Sequence, residues 1–546
     1  MTRRSLLLLA AAIASLAMTA TPAQAARGFK FGVAAQEVRQ HSAILWARST
    51  KAGPVRLEVR RRGPFGACGG SGSLRARATK PNNLTVQRKV RGLRPGKRYR
   101  YRFCRRGGRS EVGRFRTAPR PGANRVIRFA WSGDQDGQPA PGEKRPFWNN
   151  FGVLRQMRSE RNHFNILLGD TIYSDSEVAG IVSRAITVAA KWAKYRQTVR
   201  QRPLAALRSS AATYSHWDDH EFINDFSRHE SRADLNIPIS PEKLYRNGVR
   251  AFRDYHPVTY SRRNGIYRTV RWGKNLQLFF LDERSFRSAK ASAGGACDNP
   301  QGSGNPDLAP TAPQNPTRNT FGTTGVLPGL EQLLNPPPPG CNATINSPNR
   351  TLLGARQLAR FKRAVRRSTA TFKVIVNEVP IQQFYALPYD RWEGYEHERQ
   401  EVLTYLRNNV DNVVFLTTDV HANMVNDARL RTLEPPSPKE SGIMDVTTGP
   451  IATKPFMREI DDIAGPGSGN LVTNAFFKVP PATPPAYGGA GQTCSATDVF
   501  SYGEVAVSRT QLRIELKDID GNPVREGPNG SGATCPNNST VTIPAS

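Results

Sequence analysis

Phe164-Asn165-Ile166-Leu167-Leu168-Gly169-Asp170-Thr171-Ile172-Tyr173 is an apolar run that stops at a glycine and a carboxylate. A run this short, with no polar face, reads as a strand of a sheet covered on both sides. The pattern recurs. Val126 to Trp131, Leu276 to Leu281, Phe372 to Val376 and Val413 to Thr417 are runs of the same kind. Helices are predicted between them over 178–200 and 354–368, the second with Leu358, Phe361, Ala364 and Val365 on one stripe. Strands alternating with helices give an α/β fold from about residue 124 to 520.

The residues just past each run matter more than the run. Val126 to Trp131 leads into Ser132-Gly133-Asp134-Gln135-Asp136, and Val413 to Thr418 into Asp419-Val420-His421. Ser215-His216-Trp217 leads into Asp218-Asp219-His220-Glu221. Open α/β sheets place ligands at the C-terminal ends of their strands. So many acids in one cleft repel each other unless a cation compensates them or some take protons. Carboxylate and imidazole donors together suit Fe, Mn and Zn, and an all-oxygen part suits Ca. One carboxylate can bridge two ions about 3.5–4 Å apart. Singly, each residue has a plainer reading: Asp134 as a turn or cap, Gly169-Asp170 as a turn, Tyr173 as a packed ring, His220 as a salt-bridged histidine. The order in which they recur, strand end after strand end, favours the metal.

The rest of the chain frames this core. Arg3 and Arg4 precede an apolar run and Ala23-Gln24-Ala25, the layout of an export signal over 1–25, with a twin-arginine character. Residues 27–120 read as short alternating strands, Ser42 to Arg48, Val55 to Arg60, Val86 to Val90, Arg98 to Phe103 and Gly113 to Thr117, an all-β sandwich of fibronectin or immunoglobulin type. Ala118-Pro119-Arg120-Pro121-Gly122 reads as a linker. Loop insertions are expected over 289–350 and 464–495, and a tail over 521–546. Six cysteines in an exported chain favour disulfides between sequence neighbours: Cys68 with Cys104, Cys297 with Cys341, Cys494 with Cys535. The apolar run of the signal is too short for a comfortable membrane span, and no other run is long and apolar enough to make one. The formal net charge of +34 attracts polyanions. No specific nucleic-acid motif accompanies it, which leaves an anionic polymer or a phospholipid surface as candidate partners.

Gly32-Val33-Ala34, Leu45-Trp46-Ala47-Arg48 and Leu93 to Tyr101 open a further ordered series of motifs. Gly169-Asp170-Thr171-Ile172-Tyr173 comes next, then Trp217-Asp218-Asp219-His220-Glu221 with Asn224. Leu281-Asp282-Glu283-Arg284, Leu353-Gly354-Ala355 with Gln357-Leu358, Trp392 with Gly394-Tyr395 and Arg399, and Asp419-Val420-His421 complete it. From about residue 29 to 517 the chain resembles the alkaline phosphatase D family of calcineurin-like metallophosphoesterases.

The resemblance implies a four-layer α/β/β/α sandwich behind the N-terminal β-domain, and a phosphoric ester hydrolase; a monomer is expected. It implies that Asp170 bridges two metal positions, that Tyr173 is a phenolate ligand and that His421 completes that site. Asp219 and Asp419 stand at ligand positions, and His220 at that of the catalytic histidine. A further ligand is expected from Asn377 or Glu378, with Asn377 taken first. The family implies iron and calcium. Its Ser-Cys-Gln segment, whose Cys binds metal, is Gly133-Asp134-Gln135 here, so Asp134 replaces a soft thiolate and Mn or Zn become alternatives.

The expected mechanism is in-line attack on phosphorus by a metal-activated water. His220 protonates the leaving oxygen or hydrogen-bonds a phosphate oxygen, and Glu221 orients His220. Arg284 either binds the substrate phosphate or forms a structural ion pair. Phosphodiester cleavage, including a phospholipase D-like reaction, is the alternative within enzymes. A polyanion-binding protein with a vestigial site and a wall-adhesion module are the alternatives outside them.

Overall fold

The computed structural model describes residues 28–70, 72–230, 237–293, 297, 339–383, 390–431, 439–478, 492–535 and 540–546. The export signal over 1–25 lies outside them, as do 298–338 of the first expected insertion and 479–491 of the second.

Two sheets stack face to face. The first has nine described strands, in spatial order Thr540–Pro544, Gln511–Asp518, Ser501–Val507, Ile127–Ser132, Phe164–Leu167, Ala212–Ser215, Phe29–Gln36, Ser42–Ser49 and Thr85–Arg91. Its centre is parallel, with Phe164–Leu167 between Ile127–Ser132 and Ala212–Ser215. The second has seven: Arg268–Trp272, Leu276–Phe280, Phe372–Val376, Val413–Thr417, Lys439–Thr447, Asn423–Arg431 and Cys494–Ala496. Leu276–Phe280, Phe372–Val376, Val413–Thr417 and Lys439–Thr447 run parallel.

Alternate residues of each run serve different layers. Phe129, Trp131, Phe164 and Ile166 meet Leu278, Phe280, Val374 and Leu416 between the sheets. Ala130 and Leu167 face outward onto helices Gly152–Ser159, Val188–Val199, Arg202–Ser210 and Pro241–Tyr255 through Leu154, Tyr195, Leu204 and Phe252. Phe279, Ile375 and Phe415 face helices Ala355–Arg366 and Glu396–Asn409 through Phe361 and Leu403. The result is the four-layer α/β/β/α sandwich. It explains why the runs are largely apolar, since most residues of the central strands are under a sheet or a helix.

The N-terminal region is β-rich, and it is also spliced into the larger sheet. Phe29–Gln36 pairs parallel with Ala212–Ser215, so three early strands extend the first sheet. Gly53–Arg60, Leu74–Ala78, Arg98–Arg105, Gly108–Arg109 and Gly113–Arg116 form a third, five-stranded sheet against them. At the other end Thr540–Pro544 pairs with Gln511–Asp518, which builds the last residues into the sheet rather than leaving them trailing.

The helix expected from 178 starts at Val188. The Thr187 side chain accepts the Ala190 amide and caps it. All three expected disulfides are present, with Cα separations of 5.7, 4.6 and 5.2 Å for Cys68–Cys104, Cys297–Cys341 and Cys494–Cys535. No helix among the described residues is long and apolar enough to cross a membrane.

Candidate metal centre

The C-terminal ends of the central strands of both sheets converge. The Trp131 indole donates to the Thr417 carbonyl at 3.1 Å, and the Thr418 hydroxyl to the Leu168 carbonyl at 3.0 Å. The turns leave little room. A Cβ on Gly133 would lie 1.9 Å from the Leu168 carbonyl oxygen, so only glycine lets the two strand ends meet. Asp134, Asp170, Asp419 and His421 all have left-handed backbones, with φ of 61, 43, 71 and 52°. Four non-glycine residues in that region, each just past a strand, are strain concentrated where side chains are being aimed.

They are aimed at each other. One donor atom each from Asp134, Asp170 and His421 falls within 4.8 Å of the others. The same holds for Asp170, Asp219 and His220, and for Asp218, Asp219 and Asp419. Asp170 is common to the first two groups, and Asp219 to the last two. The Tyr173 hydroxyl is 2.9 Å from His421 Nε2. Two ligands at about 2.1 Å from one ion, at right angles, would stand about 3 Å apart.

A cation fits this donor set. Both Asp134 oxygens, Asp218 Oδ2, Asp219 Oδ1 and His421 Nδ1 are buried without a hydrogen-bond partner among the described residues. Such orphans are costly and call for an ion or water. Burial, then the Asp419 charge, pushes the Asp134 carboxyl well above its ordinary range. Burial does the same to Asp170, with Asp219 and Asp218 adding to it against His220. Burial pushes the His421 imidazole down to about 3, which leaves it neutral, the ligand form. Burial and the Asp170 and Asp134 charges keep the Tyr173 phenol protonated, so a phenolate there needs a cation.

Around this lie the residues that hold the cluster in place, among them Asp175 and Arg391, which no motif pointed to. Asp175 accepts from His220 Nδ1 at 2.7 Å and from the Asn224 amide at 2.8 Å. Burial alone would depress the His220 imidazolium, but Asp175, Asp170 and Asp219 together hold it well above the usual value. Glu221, expected to orient His220, instead accepts from the Thr171 and Asp218 amides at 2.6 and 2.7 Å and ties two ligand turns together. Orientation belongs to Asp175. Arg391 Nε donates to Asp419.

Arg284 is fully buried among carboxylates. Nε donates to Asp218, and Nη1 reaches both oxygens of Asp390 at 3.1 and 3.0 Å. Nη2 lies 3.7 Å from both Asp219 and Asp419. Asn377 is buried, donates to the Val379 carbonyl, and has no hydrogen bond to the cluster among the described residues. Glu378 turns away to His216, at 3.1 Å. Asp390 follows Phe384-Tyr385-Ala386-Leu387-Pro388-Tyr389, an apolar stretch whose proline argues against a strand, so no strand-end signal marks it.

Behind the site, buried Lys191 donates to Ser174 Oγ at 2.7 Å and the Phe222 carbonyl at 2.8 Å. Burial lowers its pKa to about 7. Between about 7 and the unfolded value near 10.5 the unfolded chain binds more protons there, so stability rises with pH across that window. Lys191→Met is expected to flatten that rise in denaturant titrations run from pH 7 to 10. An unchanged slope would mean that the ammonium stays charged in the fold.

The sequence pattern of the "PhoD-like phosphatase" family matches residues 141–478, and that of the "PhoD-like phosphatase, N-terminal domain" matches 14–119. "Alkaline phosphatase D" of Bacillus subtilis (strain 168) is 24% identical over 461 residues, 77% of this chain and 69% of that protein. In three dimensions the chain is similar to the solved structure of PhoD, with a TM-score of 0.67, 20% identity and coverage of 94% of this chain and 95% of that one. It is also similar to the purple acid phosphatase PPD1 of yellow lupin (Lupinus luteus), with a TM-score of 0.51, 11% identity and coverage of 95% and 74%.

Proposed function

Because the chain belongs to the PhoD-like phosphatase family, and so is a metal-dependent phosphoesterase, we propose that it holds at least two cations around Asp170 and hydrolyses phosphate esters there. The observation that carries this is the place of Asp170 in both the Asp134–His421 group and the Asp219–His220 group. Asp134, Tyr173 and His421 would hold one ion. Asp219 would hold the other, with Asp419 beside it and Asn377 as a further oxygen donor. The donors are oxygen and imidazole with no thiolate, which favours hard or borderline ions: Fe with Ca as in the family resemblance, or Mn or Zn.

Bound there, the ions would lower the pKa of a water and offset charge developing on phosphorus. The chain does the rest. Asp175 fixes the His220 ring through Nδ1, which leaves Nε2 as the nitrogen to hand a proton to the leaving oxygen. The Tyr173 ring stacks on His220 at 4.1 Å and limits its tilt. Arg284, bound to Asp218 and Asp390, acts as an internal counter-charge that positions the carboxylates.

Export, by the twin-arginine route, is part of the proposal. Three disulfides support an oxidising destination. A diester substrate is the second reading, favoured by the +34 charge, which suits a polymeric anion. A chromogenic monoester and a chromogenic diester, each assayed with and without chelator, test both. Hydrolysis of at least one is expected, lost in chelator and regained with Mn, Zn, Fe or Ca. Inertness toward both with every metal would sink the enzyme reading.

A further inference from the structure

The strand Arg98–Arg105 reads Arg-Tyr-Arg-Tyr-Arg-Phe, and its neighbour Gly113–Arg116 reads Gly-Arg-Phe-Arg. Period two puts Tyr99, Tyr101 and Phe115 on the packed face and the arginines on the other. The register sets Arg98 directly opposite Arg116, and Arg100 opposite Arg114. On its far side Arg100 faces Arg60. Like charges paired across strands are destabilising. The next position of the same face shows the ordinary solution, since Arg102 is paired with Glu58 at 2.7 Å. Among the described residues, none of Arg98, Arg100, Arg114 and Arg116 has an ion pair. The Arg116 guanidinium is held below its usual value by burial and then by Arg98 and Arg125.

These arginines line a cavity of about 870 Å³. Arg158 of the Gly152–Ser159 helix and Arg161 of the next turn close its other wall, with His163 between them and the strands. Burial and the neighbouring Arg116 and Arg98 keep that histidine below its usual pKa. Glu111 feels the Arg158 charge, and among the described residues the two make no ion pair. Asn165, also on the wall, lies at the N-terminal end of the strand Phe164–Leu167, and Asp170 follows that strand's C-terminal end. The cavity and the metal centre therefore lie at opposite ends of this central strand.

We propose that this cavity is a second, non-catalytic binding site for a linear polyanion of closely spaced phosphates. Guanidinium is the group that binds phosphate bidentately, and several phosphates would relieve the arginine rows together. The aromatic rings at the wall, Tyr99 and Phe115, are 8% and 3% exposed, so they offer no face for stacking bases. That favours a chain of phosphates without bases over nucleic acid. The concavity favours a strand over the flat array of headgroups on a membrane.

The test uses the full chain, labelled linear inorganic polyphosphate, and vesicles of phosphatidylglycerol. The triple variant R98Q/R114Q/R158Q is compared with R88Q/K89Q/R91Q, which removes the same charge from exposed positions on the Thr85–Arg91 strand. The first is expected to bind polyphosphate on the order of tenfold more weakly, and its slope of log K against log salt to fall by about 2. Its hydrolysis of a small monoester should be unchanged, and its melting temperature at low salt equal or higher, because repulsion has been removed. Should the triple variant misfold, R114Q alone is read, with a slope change of about 0.7. Equal weakening in both triple variants, unchanged binding in the first, or tighter binding to vesicles than to polyphosphate would each overturn the site.

Discussion

Asp170→Asn is expected to abolish metal binding and to cut kcat/KM on the order of a thousandfold or more, without unfolding the protein. The reason is its position. Asp170 is the residue common to the Asp134–His421 and Asp219–His220 groups, so neutralising it weakens both at once. Losing the Lewis acid and charge-neutralising contribution removes several kcal/mol of transition-state stabilisation. The fold should tolerate the change. Asn is isosteric, and its oxygen can still accept the His220 amide, now 3.2 Å from Asp170 Oδ1. Burial and the charges of Asp219 and Asp218 already disfavour the Asp170 carboxylate in the metal-free protein. Removing that charge should leave the metal-free variant at least as stable as metal-free wild type. Elemental analysis, denaturant unfolding and single-turnover assays read the three outcomes separately. Full metal content with full activity would remove Asp170 from the bridging role.

That variant could be named from sequence because its signal is local. Asp134, Asp170, Asp419 and His421 each come within a few residues of the end of an apolar run, and a strand end fixes where such a residue points. That these strands are covered on both faces was legible for the same reason, since runs without a polar face must be covered twice, whereas the pairing of two sheets into four layers came only from the family resemblance. The features that were not legible depend on tertiary partners. Glu221 sits next to His220 in the chain, yet its carboxylate caps the Thr171 and Asp218 amides, and the His220 ring is held by Asp175, 45 positions away. Asp390 meets Arg284 across 106 positions, a pairing that no local spacing announces. The joining of Phe29–Gln36 to Ala212–Ser215 was equally hidden, because alternating strands look the same whether they close a separate sandwich or extend a neighbour's sheet. The helix start at 188 rather than 178 reflects a cap, Thr187, whose use depends on the fold around it.

Arg284→Met should cost about 3–5 kcal/mol of stability, the range for breaking a buried ion pair by removing one partner. Methionine fills much the same volume, so the loss is electrostatic rather than a cavity. Asp218 and Asp390 would be left buried without their cation, and Nη2 would no longer face Asp219 and Asp419. The pH dependence isolates the Asp390 share, because burial holds the Asp218 carboxyl well above its ordinary range even beside Arg284. Burial would raise Asp390, but Arg284 and then Arg287 more than reverse it and hold its carboxyl below the ordinary range. A depressed carboxylate stabilises the fold above its unfolded pKa, and that contribution is lost as pH falls through the folded value. The gap between wild type and variant should therefore be full near neutrality and shrink under acid conditions below about pH 4. Asp390→Asn in the variant background should restore part of the loss, with a coupling of about 0.5–3 kcal/mol in the double-mutant cycle. A substrate-binding arginine behaves differently. Its removal would raise KM while leaving the unfolding free energy at the wild-type value, and that result would move Arg284 from the framework onto the substrate.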